Sequence, residues 1–271
     1  MATLPPWNIL RGKTAAITGG TTGIGGAIAL EFIRQGCNVA INHLGLPKDE
    51  PVFQSPLAEV EGLHDDDSST AGEVLEVAGD ITNPQTSELL IQEAVKRWGM
   101  LDIFVANAGV FKQADFLEIE PSLLDHIVDV NIKGTFYSCQ AAARQTVRQG
   151  HGGSIIAISS ISALVGGRFQ THYTPTKAAV LSLMQPMTIS LGEHKNRYNA
   201  ILPGTINTQF AAHDINNPTK IEYLQKIIPL GRVGNPEDMA GPALFLASEH
   251  LSRYVTGAGI LADGGLFVNL Q

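Results

Sequence analysis

A tyrosine and a lysine four residues apart, with a serine upstream, could together move a proton. Tyr173 and Lys177 would share one face of a helix because they are at positions i and i+4. The unperturbed pKa of a tyrosine is about 10, and a neighbouring positive charge favours its phenolate form. We therefore expect Tyr173 to act as a general acid or base. The hydroxyl of Ser160 could orient a substrate oxygen and stabilise charge that develops on it.

A glycine-rich turn near the start of the chain is typical of phosphate binding. The run Thr18-Gly19-Gly20-Thr21-Thr22-Gly23-Ile24-Gly25 follows an apolar segment and precedes a helix-like one. Glycines let the backbone approach a pyrophosphate, and the N–H groups at the start of the helix face that anion. A glycine cluster can also form a plain turn, so the order of strand, turn and helix is what predicts a dinucleotide, NAD or NADP. An oxidised nicotinamide would add positive charge beside Tyr173.

The choice between the two dinucleotides is made at the end of the second strand, here Asn42-His43-Leu44. An acidic residue there binds the ribose 2′-hydroxyl, whereas a nearby arginine accommodates a 2′-phosphate. This sequence has neither, so we predict use of both NAD and NADP, with Asn42 and His43 beside the ribose. Two later strand ends, Asp80-Ile81 and Asn107-Ala108-Gly109, are further candidate cofactor contacts. The same residue types are also common in ordinary turns.

Short apolar and β-branched runs recur between amphipathic segments along the chain. These runs are Lys13–Thr18, Asn38–Ile41, Val74–Val77, Ile103–Ala106, Ser154–Ser159, Tyr198–Leu202 and Ala258–Leu261. The alternation predicts an α/β fold of the Rossmann type, a doubly wound parallel sheet with helices on both faces. We expect residues 1–271 to form a single domain. Ligands bind at the carboxyl ends of such strands, where the glycine turn and Ser160 fall.

The segments between the strands predict helices and two irregular regions. The helix-like segments are Ala27–Gln35, Ser87–Trp98, Leu123–Gln149 and Ala178–Glu193. Pro186 predicts a kink or an early end in the last of them. The stretch Gly45–Ser69, with aspartates at 65 to 67, predicts a solvated loop containing a weak helix. The polar stretch Gln209–Gln225 could close over a pocket as a lid.

Composition argues against several classes of protein. The net charge of −8, without a basic cluster, makes a nucleic-acid partner unexpected, and no apolar run reaches membrane-spanning length. Cys37 and Cys139 form no paired motif and the histidines lack ligand spacing, so we expect no metal site and no disulfide framework. Residues Met1–Arg11 lack the pattern of a signal peptide, which predicts a cytoplasmic protein.

The glycine turn, the serine and the Tyr-x-x-x-Lys pair together resemble the short-chain dehydrogenase/reductase family, from about Gly12 to Gly265. The resemblance implies catalytic roles for Ser160, Tyr173 and Lys177. It adds Asn131 as a fourth position, holding a water that links Lys177 to solvent. It also implies cofactor contacts in the glycine turn, at the strand ends and after the sixth strand, with Thr208 meeting the carboxamide. The predicted cofactor contacts are Gly19, Thr22, Gly23, Ile24, Asn42, His43, Asp80, Ile81, Asn107, Ala108, Gly109, Tyr173, Lys177, Pro203, Gly204, Ile206 and Thr208.

A narrower resemblance links Ser159–Gly167, Thr171–Lys177, Ile228–Gly234 and Asp263–Gln271 to fungal members of the family that oxidise the sugar L-rhamnose at C1. It implies a small-molecule substrate, an aldopyranose converted to its lactone. The candidate substrate contacts, chosen by position, are Ser160, Ser162, Gln170, Tyr173, Thr205 and Asn207. Members of the family usually assemble as tetramers, so the resemblance also implies a homotetramer with the C-terminal tail at a subunit contact.

Two other kinds of function stay open at this point. A different enzyme of the same fold, such as a polyol dehydrogenase or a 3-oxoacyl reductase, would differ in its substrate. The oxoacyl reductase would also need an acyl-carrier partner and would normally prefer NADPH. A non-catalytic dinucleotide sensor would be expected to have lost Tyr173 or Lys177, and both are present.

Overall fold

The computed structural model describes residues 8–45, 71–211 and 215–269. The predicted solvated loop, apart from Gly45, lies outside these ranges together with its three aspartates.

Seven parallel strands form one sheet in the order β3-β2-β1-β4-β5-β6-β7. The strands are β1 Thr14–Thr18, β2 Asn38–His43, β3 Val74–Ala78, β4 Ile103–Ala106, β5 Gly153–Ile158, β6 Asn196–Pro203 and β7 Gly259–Ala262. Every neighbouring pair is parallel. The predicted doubly wound sheet is therefore confirmed, with strand limits shifted by at most two residues.

The helices described in the structure alternate with these strands. They are α1 Gly23–Arg34, α2 Pro84–Trp98, α3 Pro121–Val128, α4 Thr135–Gln149, α5 Thr174–Leu191, α6 Pro218–Ile227, α7 Ala240–Ala247 and α8 Glu249–Ser252. None of the helices in the described ranges is both long and apolar enough to cross a membrane.

Both faces of the sheet are buried because successive residues of a strand point to opposite sides. In β1, Ala15 and Ile17 belong to a core shared with α1 and α7. Ala16 belongs to the opposite core, which includes side chains of α2, α4 and α5. Continuous apolar runs such as Ile103–Ala106 therefore mark strands covered on both faces.

The predicted single helix over Leu123–Gln149 is interrupted by a turn of π-helix. Helix α3 ends at Val128, the π turn spans Asp129–Gly134, and α4 begins at Thr135. Apolar periodicity did not predict this turn, since one extra residue in a single turn changes the period little. The early end considered at Pro186 does not occur, because α5 continues past it to Leu191, and the kink stays a prediction. The buried side chains of Val180 and Met184 hold that helix against the sheet.

The predicted lid contains two short helical segments in its described parts. A 3₁₀ turn covers Gln209–Ala211, and α6 begins after Asn217, whose side-chain oxygen accepts a hydrogen bond from the Lys220 amide at 3.2 Å. In the C-terminal tail, Val268 is exposed.

Candidate active site

The glycine turn brings the ends of β1 and β4 into direct contact. The Asn107 side-chain amide donates to the carbonyls of Thr18 and Gly19, at 3.0 and 2.9 Å. In return, the Thr18 hydroxyl accepts from the backbone amides of Asn107 and Ala108. A Cβ built on Gly25 would lie 2.3 Å from the Gly19 carbonyl oxygen, so only glycine fits there. The turn is therefore held by both strands.

The start of α1 faces the cleft above this turn. Gly19 and Gly23 have φ values of 61° and 53°, which favour glycine. Thr22 precedes the helix, and its side chain makes no capping hydrogen bond within the described part of the chain. A backbone of this shape, with the N–H groups of a twelve-residue helix open at its start, fits a pyrophosphate.

A cleft of about 1020 Å³ runs along the carboxyl ends of the strands. It brings together every predicted cofactor and substrate residue. Of the predicted site residues, Asn131 is the one that does not line it. The size of the cleft and its glycine-lined end fit a dinucleotide together with a small substrate.

The Asn42 side chain at the end of β2 has a structural role besides its predicted one. The amide nitrogen of buried Asn42 donates to the carbonyls of Val77 and Gly79, at 3.2 and 2.9 Å. Its NH₂ group therefore fastens β2 to β3, while Asn42 still lines the cleft. Nδ1 of His43 accepts from the Gly45 amide at 3.0 Å, and its Nε2 lies 3.8 Å from a carboxylate oxygen of Glu76. His43 lines the cleft beside Asn42.

Asp80 also has a structural role besides its predicted one. Its carboxylate accepts a hydrogen bond from the Thr82 amide at 2.9 Å, as expected for an aspartate that closes a turn. Asp80 still lines the cleft, so the two roles are compatible.

Tyr173 lies immediately before α5, and its ring packs against Phe111 with 4.7 Å between ring centroids. Burial raises the pKa of Tyr173 above its usual value, while a hydrogen bond with the Ser160 side chain opposes that shift. The Ser160 hydroxyl oxygen accepts from the Ser162 amide at 3.1 Å. Desolvation therefore outweighs the neighbouring groups in the ligand-free protein, and the lowering expected from Lys177 together with an oxidised nicotinamide stays a prediction.

Lys177 is buried beneath Tyr173. Its ammonium group donates to the Ile158 carbonyl at 2.9 Å and lies 5.7 Å from the centre of the Tyr173 ring. Burial lowers the pKa of Lys177 to about 8. The helical i, i+4 spacing does bring the two side chains together as predicted, and the strand end at Ile158 supplies the carbonyl that holds the lysine.

Asn131 is buried in the π turn, behind the cleft wall. Its side-chain oxygen accepts from the Val110 amide at 2.8 Å, and its nitrogen donates to the Val110 carbonyl at 3.0 Å and to the Thr176 hydroxyl at 3.2 Å. A Cβ built on Gly109 would contact both the Asn131 oxygen and the Lys177 nitrogen. Asn131 therefore fixes the loop after β4 against the start of α5, next to Lys177.

Sequence reasoning missed several residues that line the cleft. They are aromatic or apolar side chains to which the sequence analysis assigned no contact: Phe111, Val130, Val165 and Phe210. His126 also lines it, one turn before Val130 on the same helical face. The available signal was position, because Phe111 follows the Asn-Ala-Gly strand end by two residues.

The doubly wound sheet, the glycine turn and the Ser160, Tyr173 and Lys177 cluster define a class of dinucleotide-dependent oxidoreductases. A family model described as enoyl-(acyl carrier protein) reductase matches residues 19–267, and a short-chain dehydrogenase/reductase structure from Mycobacterium marinum is 34% identical, with a TM-score of 0.84, covering 95% of this chain and 96% of that one. The chain belongs to the short-chain dehydrogenase/reductase family.

Named relatives are similar over nearly the whole length. L-rhamnose-1-dehydrogenase of Scheffersomyces stipitis is 53% identical, covering 97% of this chain and 99% of the relative. L-rhamnose 1-dehydrogenase (NAD(P)(+)) of a Sphingomonas species is 48% identical with the same two coverages.

Proposed function

We propose that this chain oxidises L-rhamnose at C1 to L-rhamnonolactone with NAD or NADP. The observation that carries the proposal is the half-buried Tyr173 above the buried Lys177, with Ser160, beside a glycine turn in one cleft. Relatives 48 and 53% identical over 97% of the chain bear the name of this activity.

In the proposed reaction, Tyr173 removes the proton of the anomeric hydroxyl as C1 loses a hydride. A bound nicotinamide dinucleotide supplies the hydride acceptor. The hydroxyl of Ser160 donates to the same substrate oxygen and stabilises its developing charge. Because burial raises the pKa of Tyr173, the phenolate needs a positive charge close by, and the Lys177 ammonium is held at 5.7 Å from its ring.

Proton release is the proposed role of the residues behind Tyr173. The pKa of Lys177, about 8, allows this lysine to take up and release protons at moderately alkaline pH. We place Asn131 at the far end of this route, as the residue that holds a water between Lys177 and solvent. Its contacts with Val110 and Thr176 support a fixed position for it.

Use of both cofactors is supported by the end of β2. His43 lines the cleft there with a Glu76 carboxylate oxygen 3.8 Å from its Nε2, and residues 42 to 44 themselves include neither an acidic residue nor an arginine. The cofactor-binding residues proposed are those given by the sequence, and the NH₂ group of Asn42 in addition joins β2 to β3.

Location and assembly are part of the proposal. The family resemblance supports a homotetramer, and the exposed Val268 beside the half-buried Leu266 and Phe267 supports a subunit contact at the tail. The buried free cysteines, Cys37 and Cys139, suit a reducing compartment such as the cytoplasm.

A substrate panel tests the proposal. The purified chain is mixed with NAD or NADP and with L-rhamnose, L-lyxose, L-mannose or polyols, and formation of the reduced cofactor is followed. We expect oxidation of L-rhamnose by wild type and none by Tyr173→Phe, which keeps cofactor binding. Tyr254→Phe, at a fully exposed tyrosine, is the matched control and should keep full activity. Absence of activity with every aldose, or full activity of Tyr173→Phe, would refute it.

One alternative has a specific observation behind it, the family model named for an enoyl-(acyl carrier protein) reductase. That activity would appear as NADPH oxidation with an acyl thioester and no turnover of sugars.

A further inference from the structure

One pair of polar side chains in the cleft is organised before any substrate binds. The Ser162 hydroxyl donates to the side-chain oxygen of Gln170 at 3.0 Å, and both residues line the cleft. The Gln170 side-chain nitrogen carries two N–H donors, and neither makes a hydrogen bond with any of the described residues. Because Ser162 holds the amide oxygen, the NH₂ group of Gln170 remains available to a ligand in the cleft.

The backbone around Gln170 is held as firmly as its side chain. Its carbonyl accepts from the amides of Tyr173 and Thr174, at 2.9 and 2.8 Å, so it forms the turn that leads into α5. The residue before it, Phe169, has a φ of 65°, unusual for a side chain of this size. Strained backbone of this kind persists where the surroundings enforce it, often at ligand sites. Gln170 thus has a fixed position one turn before Tyr173.

The side-chain amide of Gln170 packs directly against Gly167, where a larger residue would overlap with it. A Cβ built on Gly167 would lie 2.5 Å from the Gln170 side-chain oxygen and 2.7 Å from its carboxamide carbon. The φ of Gly167 is not in the left-handed region, so the backbone itself would accept another residue. The space beside Gly167 is therefore set by the Gln170 amide.

We propose that Gln170 recognises a sugar hydroxyl away from C1 by donating to its oxygen, and that Ser162 is a positioning residue that orients the Gln170 amide. The inference rests on the proposed sugar oxidation and adds which side chains read the sugar. Sites that hydrogen-bond a substrate hydroxyl reject analogues lacking it strongly, because the protein group is then left unpaired. Gln170 would thus select among aldoses, while Tyr173 and Ser160 act on C1.

The kinetic test separates binding from chemistry. Gln170→Ala should raise KM for L-rhamnose about tenfold or more, as expected for one lost hydrogen bond, and change kcat less than about threefold. KM for NAD should stay unchanged, which also reports an intact fold. Thr171→Ala, an exposed neighbour outside the cleft, is the matched control and should behave as wild type.

Two further variants test the orientation of the amide. Gln170→Glu keeps the shape and the contact with Ser162 but removes both donors, so it should behave like Gln170→Ala. Gly167→Ala should raise KM without loss of folding, because the end of a flexible side chain is what must move. A wild-type KM in Gln170→Glu would mean that no donor faces the sugar and would overturn the proposal.

A double-mutant cycle tests the positioning role of Ser162. Ser162→Ala should raise KM in the wild-type background and add nothing in the Gln170→Ala background. Additive effects would overturn the role of Ser162. With L-rhamnose turned over normally by wild type, an unchanged KM in Gln170→Ala would overturn the recognition pair alone. A wild type inactive with every aldose would overturn the proposed function as well.

Discussion

Replacing Gly25 by alanine tests whether the glycine turn is as tightly built as its contacts indicate. The new methyl carbon would lie 2.3 Å from the Gly19 carbonyl oxygen and 2.4 Å from the Asn107 side-chain nitrogen. Real Cβ atoms essentially never come within 3.0 Å of such atoms, and the Gly19 oxygen is backbone. The turn must therefore open, and the Asn107 hydrogen bonds to Thr18 and Gly19 are lost with it.

The size of this effect follows from two contributions. Overpacking a filled site costs about 1–3 kcal/mol, and two lost hydrogen bonds cost about 1 kcal/mol each, giving about 3–5 kcal/mol. For a chain of this size, that lowers Tm by about 10 °C. Displaced N–H groups at the start of α1 would also weaken NAD binding about tenfold or more, as expected for a lost hydrogen bond to a charged group.

Denaturant unfolding and calorimetric NAD titration measure the two effects. The control is Gly241→Ala in α7, where an added Cβ has no heavy atom within 4 Å among the described residues. Its stability should stay the same or rise by up to about 1 kcal/mol. If Gly25→Ala unfolds like wild type and binds NAD with the same affinity, the described packing of the turn is wrong.

Three other changes give separate outcomes. The pKa of Lys177 is about 8 in the folded protein and 10.5 in the unfolded chain. Between pH 8 and 10 the unfolded chain therefore holds one more proton, so the free energy of unfolding should rise with pH, by at most about 3 kcal/mol. Urea titrations across that range should show the rise in wild type and its loss in Lys177→Met. Asn131→Ala should lower the free energy of unfolding by about 2–4 kcal/mol, because the Val110 amide and carbonyl both lose their hydrogen-bond partner. It should also lower kcat more than it raises KM. An unchanged kcat would contradict the position of Asn131 in the proton route. Asp102 lies at the amino ends of the strands, away from the cleft, and Asp102→Asn weakens its contacts with the Lys13 ammonium and the Thr14 amide. The free energy of unfolding should fall by about 1 kcal/mol, while KM and kcat stay unchanged.

Motifs tied to backbone geometry could be predicted well from the sequence. The glycine turn and the Tyr173 and Lys177 pair follow from local spacing, and parallel strands necessarily bring their carboxyl ends to one edge. The hydrogen bonds of the Asn42 amide could not be assigned, because its partners, the Val77 and Gly79 carbonyls, lie in β3 and directly after it.

The electrostatics of the site were beyond the sequence for a similar reason. The pKa of Tyr173 depends on how deeply its ring is buried, and part of that burial comes from Phe111, 62 residues earlier in the chain. Lys177 was expected to be a plain ammonium partner, whereas its own burial lowers its pKa. Spacing identifies which groups meet, and burial decides in which protonation state they meet.

At the π turn Asp129–Gly134, the number of residues decides how the helical segments before and after it are rotated relative to each other. An α-helix advances 100° per residue, so one added residue within a helix is absorbed only by widening a single turn. Removing one residue from this turn would restore regular α-helix and rotate Asn131 relative to α4, whose buried face packs on the sheet. The sheet fixes α4, so the rotation would fall on Asn131 and carry its amide away from Val110. A one-residue deletion is thus expected to disable this position more thoroughly than a substitution, while most of the core remains in place.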